Sequence, residues 1–284
     1  MTKFAVAGIQ MHLGMGGNLP EMRKRLELLA HLYPWVEMAV FSELSAYGPN
    51  RQLAEEAGGR FESECQALAA KYKLWLLPGS YFERRDGLIY NTAPVIDPSG
   101  KIVTRYRKMF PFTPYEQGVT PGTEFCVFDV PKVGRFGLSI CYDLWFPELT
   151  RTLVSMGAEV LINPVLANFI DRPADLVIAQ ASAAMFQSYI FSINGLHAGG
   201  NGYSLVVDPA GRLLHQGSVQ EELIPVEVDF DVVRHQRRNG ILNMGQPLKS
   251  FRDAPVHFGI YDSGYRSDYL EGLGPLAKPD RPER

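Results

Sequence analysis

A chain of 284 residues, 46% apolar and 21% charged, has an ordinary globular composition and could fold as one large domain or two small ones. Its 28 basic and 31 acidic side chains leave a net charge of −3, too even a balance to point to nucleic acid or an anionic membrane. No apolar run approaches the ~20 residues that span a bilayer. Three cysteines, Cys65, Cys126 and Cys141, are too sparse and too odd in number for a disulfide framework. They point to a reducing compartment, the cytoplasm. No CxxC, HExxH or phosphate-cradling glycine loop occurs, so neither a metal nor a cofactor is expected.

In chain order, residues 4–10 read as a short strand that begins without the apolar stretch of a signal peptide. Residues 18–31 have helical spacing, with Asn18 as N-cap, Pro20 in the first turn, and Met22, Leu26 and Leu29 about one turn apart. Residues 37–41 form a second strand ending at Ser42-Glu43-Leu44, a βαβ-like opening. A short helix is expected at residues 51–56. An amphipathic one follows at 61–72, with Phe61, Cys65 and Leu68 on one stripe, and then a strand at 74–79. Residues 89–96 and 101–106 pair as a hairpin across Asp97-Pro98-Ser99-Gly100. Lys108 falls just past it. The irregular stretch 111–122 carries Glu116, and a loop this long in a compact domain tends to serve function.

Residues 124–130 form a strand compatible with a buried Cys126. The next apolar run, from Gly134, ends abruptly at Cys141, and Pro147-Glu148 suits the first turn of a helix. Strand, sharp turn and helix place the thiol where backbone N–H groups and a helix's positive end can favour a thiolate. A helix at 146–156, a strand at 160–163, a long helix at 173–187 and a strand at 189–194 follow. A hairpin at 202–208 and 212–215, a strand at 223–228 and a polar helix at 232–237 complete a single domain, residues 1–240. Residues 241–284 show no clear period and read as an extended arm that packs on a partner subunit.

Val95-Ile96-Asp97-Pro98-Ser99-Gly100-Lys101 repeats as Val206-Val207-Asp208-Pro209-Ala210-Gly211-Arg212. Each copy closes a strand–helix–strand run of similar order. Two such halves without a linker imply two sheets face to face with helices outside.

Glu43, Lys108 and Cys141 all end or follow apolar strands, where βαβ-type sheets gather functional groups. A thiol nucleophile needs such company. A carboxylate can take its proton and pass it to a leaving amine, while a lysine favours the thiolate and an oxyanion. Singly, each has a plainer reading: a buried small hydrophobe for Cys141, a strand-end cap for Glu43, a solvated side chain for Lys108, a loop carboxylate for Glu116. Spacing alone does not show that they converge.

The segments Phe41-Ser42-Glu43-Leu44, Tyr106-Arg107-Lys108 and Cys141-Tyr142-Asp143-Leu144-Trp145-Phe146-Pro147-Glu148 resemble, in order, the three signature motifs of the nitrilase superfamily of carbon–nitrogen hydrolases. Gly157-Ala158-Glu159-Val160-Leu161-Ile162-Asn163-Pro164 and Asp208-Pro209-Ala210-Gly211 resemble its later segments, so the likeness covers residues 3–235. It implies an α/β fold, a four-layer α-β-β-α sandwich of two pseudo-symmetric halves. It also implies a Glu43–Lys108–Cys141 triad, with Glu116 as the family's second glutamate, and a homodimer. Ser42 stands where the family commonly has proline, and Gln180-Ala181-Ser182-Ala183-Ala184-Met185-Phe186 replaces an Arg-Ala…Glu-Asn pattern.

The expected chemistry is hydrolysis of a small-molecule amide through a Cys141 thioester. Glu43 is the base, and Lys108 with the Tyr142 N–H holds the oxyanion. Nitrilases of this superfamily usually carry Trp-Glu where this chain has Tyr142-Asp143. Some relatives acting on N-carbamoyl amino acids carry two arginines at the positions of Leu144 and Trp145. A neutral or apolar acyl group is therefore expected, with Tyr142, Tyr47, Trp145 and Phe169 as pocket walls. A carbamoyl hydrolase, a nitrilase, and a non-catalytic binding protein on the same fold remain alternatives.

Overall fold

The first strand, β1 (Lys3–Gln10), is buried on both faces after Lys3. Phe4 and Val6 enter one apolar core while Ala7 and Ile9 enter another, because successive strand side chains point to opposite sides. A strand serving two cores belongs inside a layered structure. The computed structural model, which describes residues 1–113 and 115–277, has that form.

The first half continues as α1 (Leu19–Leu32), β2 (Met38–Phe41), α2 (Arg60–Tyr72), β3 (Trp75–Leu77), β4 (Tyr81–Arg85), β5 (Leu88–Ile96) and β6 (Ile102–Arg107). The second is β7 (Cys126–Val130), β8 (Gly134–Leu138), α3 (Pro147–Ser155), β9 (Val160–Val165), α4 (Arg172–Phe186) and β10 (Tyr189–Asn194). The small pair β11 (Leu196–His197) and β12 (Gly200–Asn201) comes next, then β13 (Leu205–Val207) and β14 (Leu213–Gln216). β15 (Glu222–Asp229) returns to pair antiparallel along all of β1, and α5 (Phe230–Asn239) and α6 (Pro247–Asp253) follow.

The described residues form a seven-stranded sheet, β15-β1-β2-β3-β5-β4 with β6 on β5, and a six-stranded sheet, β14-β13-β10-β9-β8-β7. Each has a parallel triplet, β1-β2-β3 or β8-β9-β10, with a hairpin beyond its third strand and an antiparallel strand beside its first. α1 and α2 cover the first sheet through Met22, Leu26, Phe61 and Cys65. α3 and α4 cover the second through Leu149, Leu153, Ala179 and Ala183. The sheets come very close at β1 and β10: a Cβ on Gly8 would lie 2.3 Å from Ile193 Cδ1.

The repeated hairpin is the same device twice. Asp97 N–H donates to the Lys101 carbonyl, and Asp97 Oδ1 accepts from the Ser99 and Lys101 N–H groups. Asp208 does the same with Arg212 and Ala210. Gly100 and Gly211 have φ of 86° and 80°, which a side chain would oppose.

Four details differ from the sequence expectations. Asn18 does not cap α1 with its side chain; its Oδ1 accepts from the Gly14 N–H instead. The helix at 51–56 is a short 3-10 turn, Arg51–Leu53. β4 was not anticipated, because Glu83-Arg84-Arg85 breaks the apolar pattern; Glu83 is buried by pairing with Arg107 and Thr92. The segment from Ile241 contains α6, whose Phe251 packs against Arg151, the guanidinium lying 4.0 Å from the ring centre. That part of the arm folds back on its own chain.

Gly79, with φ of 79°, lies beneath the turn that leads to Glu43; a Cβ there would lie 1.8 Å from the Ser42 carbonyl oxygen. Gly79→Ala should therefore destabilise the fold by about 1–3 kcal/mol in urea unfolding. A change within about 0.5 kcal/mol, the range of ordinary surface substitutions, would contradict this account of the turn.

Candidate active site

Three strand ends meet at one edge of the sandwich. Glu43 follows β2 by two residues, and its N–H donates to the Val165 carbonyl at the end of β9, tying the two sheets together at 3.2 Å. Leu44, with φ of 50°, then turns the chain away, its N–H donating to Ser80 Oγ. Lys108 is the residue after β6. Its N–H donates to the Asn91 carbonyl, and its own carbonyl accepts from the Gly122 N–H, so the loop carrying Glu116 closes over it. Cys141 opens a 3-10 turn, Cys141–Trp145, with φ of 49°. A left-handed conformation is unusual for a non-glycine residue, and such strain persists only where surroundings impose it.

The buried Asp143 carboxylate supplies that imposition. It accepts from the Ile140 N–H at 2.9 Å, the Phe110 N–H at 2.8 Å and the Tyr106 hydroxyl at 2.7 Å. One side chain thus ties the cysteine turn to the segment carrying Lys108. Burial pushes its carboxyl up to about 7.

At the centre Lys108 Nζ donates to Glu43 Oε1 at 2.8 Å and to Glu116 Oε2 at 2.5 Å. Asn91 Nδ2 bridges the same two carboxylates, donating to Glu43 Oε1 and Glu116 Oε1 at 2.8 Å each. Phe112 N–H adds a bond to Glu116 Oε2 at 2.6 Å. The Cys141 thiol shares the cavity with the Glu43 carboxylate and feels its charge, with the Leu166 N–H acting the other way.

Electrostatics separate the two glutamates. Burial pushes the Glu43 carboxyl above its ordinary range despite the pull of Lys108. Burial also opposes ionisation of Glu116, but Lys108, the Phe112 N–H and Asn91 outweigh it and hold this carboxyl low. Burial and the neighbouring Glu43 push the Cys141 thiol well up, with Lys108 acting the other way. Burial alone would lower Lys108; the two carboxylates outweigh it and keep the ammonium charged. The resting arrangement is a protonated thiol beside a carboxylate whose proton affinity is raised, which is what a proton relay requires.

A cavity of about 190 Å³ opens over this group, lined by Glu43, Lys108, Glu116 and Cys141 and walled by Phe82, Phe112, Tyr115, Tyr142, Trp145 and Leu166. Of the four expected pocket walls, Tyr142 and Trp145 line this cavity. Tyr47 does not: its ring packs by Phe61 and its hydroxyl donates to Glu55. Phe169 is 75% exposed and is not part of the lining. Cys65 and Cys126 are buried in the cores, their thiols pushed up by burial, Cys126 to about 11. Asn91 and Asp143 escaped the sequence reading. An asparagine inside an apolar strand was a usable signal for the first, since strands disfavour it; the second was read only as part of the Tyr142-Asp143 pair that sets the chain apart from nitrilases.

A thiol on a left-handed turn that shares a cavity with a buried carboxylate and ammonium, and with no histidine among the residues lining that cavity, is the arrangement of a carboxylate-assisted thiol hydrolase. The profile described as carbon-nitrogen hydrolase matches residues 6–238, and the chain belongs to that family, within the nitrilase superfamily. It is 31% identical over 200 residues to the fission yeast protein Hydrolase C26A3.11, covering 65% of this chain and 62% of that one. It is 32% identical over 213 residues to deaminated glutathione amidase of Dictyostelium discoideum, covering 67% and 72%. Among solved structures, Saccharomyces cerevisiae Nit3, a branch 10 member of the superfamily, superposes with a TM-score of 0.76 at 27% identity over 84% of this chain and 94% of that one.

Asp143→Ala leaves two N–H groups and a hydroxyl buried without an acceptor. Each such loss costs about 1–3 kcal/mol, so denaturant unfolding should show a stability loss of about 3 kcal/mol or more. A loss below about 1 kcal/mol, less than one such orphaned donor, would show that this carboxylate does not hold the turn.

Proposed function

We propose that the protein hydrolyses a small-molecule amide to the acid and ammonia through a thioester on Cys141. The observation that carries this reading is the buried Glu43 carboxylate, bonded by Lys108 Nζ at 2.8 Å and facing one cavity with the Cys141 thiol. Glu43 takes the thiol proton as sulfur attacks the amide carbon. Lys108 and the Tyr142 N–H, at the first turn of a helix where N–H groups lack internal partners, receive the oxyanion. Glu43 returns the proton to the departing nitrogen, ammonia leaves, and the acyl group remains on sulfur. Water then attacks the thioester carbon while Glu43 takes its proton. Collapse releases the acid, and the same proton restores the thiol. Glu116, kept ionised, holds Lys108 and assists the water step.

An amide without a carboxylate on its acyl side fits best. Leu144 is buried in the apolar core, and the Trp145 indole donates to Asp175, so neither position offers a grip for an anion. The amidase named among the relatives supports the same bond class.

A homodimer belongs to this reading, with the arm from Ile241 reaching across. Support comes from its exposed apolar side chains, Leu242, Met244, Tyr269 and Leu273 among them. Light scattering should return twice the chain mass, and a monomer would refute it. Cytoplasmic residence rests on the three unpaired cysteines; recovery of the protein outside the cytoplasmic fraction would contradict it.

Ammonia release from an amide panel tests the chemistry. Cys141→Ala should abolish it, and Lys108→Ala should lower kcat by roughly a hundredfold or more, the scale of one oxyanion donor. Because the Glu43 carboxyl is raised from 4.5, its base form disappears as pH falls. The acid limb of kcat/KM should therefore lie above pH 4.5. A Cys141→Ala enzyme with wild-type turnover, or a limb at or below that pH, would sink the assignment.

A further inference from the structure

The Trp145 ring walls the cavity over Cys141 yet is 37% exposed, so burial alone does not fix it. Its Nε1 donates inward to Asp175 Oδ1 at 2.6 Å. Asp175 is buried, and its other oxygen is ion-paired with Arg172 Nη1 at 3.6 Å. Arg172 is buried too and is itself anchored. Its guanidinium donates to Ser192 Oγ at 3.0 Å, to the Ser192 carbonyl at 3.2 Å and to the Tyr203 carbonyl at 2.7 Å. Ser192 belongs to β10, so a partly exposed indole is tied through two buried charges to the second sheet. A buried ion pair adds little net stability over apolar side chains of the same volume; its best use is to select one arrangement among several. What this pair selects is the position of one ring.

That ring completes an unbroken aromatic wall. Centre to centre, Tyr142 lies 5.5 Å from Trp145, Phe112 4.9 Å from Tyr142 and Tyr115 5.5 Å from Phe112, and all four line the cavity. Aromatic faces favour a further aromatic ring beyond the area it buries. An apolar cavity of about 150 Å³ takes up benzene, and this one, at about 190 Å³, has room for a ring and a short link to the amide. The charges do not call for an ionic substituent. Glu43, Glu116 and Lys108 bond one another, Asp175 is balanced by Arg172, and Asp171 and the exposed Arg51 bring opposite signs to the lining.

We propose that the Arg172–Asp175 pair holds Trp145 as a platform for an aryl acyl group, which makes Asp175 a positioning residue for substrate choice. The proposal rests on the amidase reading and names its substrate class. A platform ordered in advance spares the substrate the cost of ordering it, so its effect falls on KM.

Phenylacetamide and cyclohexylacetamide present a flat and a puckered ring of similar size to the same wall, and 3-phenylpropionamide and 3-cyclohexylpropionamide repeat the pair one carbon longer. Acetamide, without a ring, reports on the amidase reading by itself. The wild type should favour the aryl amide over its cyclohexyl partner in kcat/KM by about threefold or more, the scale of one aromatic pair, with the difference in KM. Trp145→Ala should bring that ratio towards one. Asp175→Ala should do the same, whereas Asp175→Asn, which keeps an acceptor for the indole, should retain it. Adding Asp175→Ala to Trp145→Ala should move the ratio no further, because the first residue acts through the second. Should Asp175→Ala fail to fold with Arg172 stranded, Trp145→Phe cuts the same bond from the donor's side and should also lower the ratio. A merely structural loss would slow both ring amides alike and leave the ratio intact. A wild-type ratio below about twofold at both lengths, a ratio unchanged in Trp145→Ala, or one unchanged in every folded variant that breaks the Trp145–Asp175 bond overturns the proposal alone, as does turnover of acetamide only. Turnover of none of the amides overturns the amidase reading and this proposal with it.

Discussion

A fully buried ammonium held between two carboxylates is the constraint on which this site depends. Lys108 is 1% exposed, and Glu43 and Glu116 are nearly as deep. Taking one cation and two potential anions out of water is unfavourable unless every one is bonded, and removing a partner strands the others. Asn91 and the Phe112 N–H complete the set. The order of proton affinities follows from this packing: Glu116, with the most donors, stays ionised, while Glu43 is left as the group able to accept and return a proton.

The sandwich exists, for the site's purposes, to bring those groups to a thiol from the other sheet. Glu43 and Lys108 come from the first sheet and Cys141 from the second. The join is made by the Glu43 N–H on Val165 and by Asp143, which spans from the cysteine turn to Tyr106 and Phe110. Gly8 lets β1 and β10 approach, and Gly79 leaves room under Ser42. These are backbone demands remote from the chemistry that nonetheless set its geometry.

Much of this was legible in the residues. Strands buried on both faces read as continuous apolar runs, and the Asp-Pro-x-Gly repeat announced two equivalent halves because an aspartate and a glycine each do one physical job in that turn. The abrupt ends of the apolar runs marked Glu43, Lys108 and Cys141. What could not be read was direction and partnership. Tyr47 and Phe169 lie close in sequence to site residues, but one faces Glu55 and Phe61 and the other faces solvent. β4 and α6 were hidden because a charged edge strand and a short helix held by Arg151 carry no clear period.

The central claim is that Cys141 carries the acyl group between two half-reactions. The most direct measurement is intact-mass spectrometry of rapidly quenched enzyme turning over an amide, with peptide mapping of any adduct. The account predicts a mass increase equal to the acyl group, confined to the peptide containing Cys141 and absent in Cys141→Ala. Turnover with no adduct at any quench time, or an adduct on another residue, would contradict it.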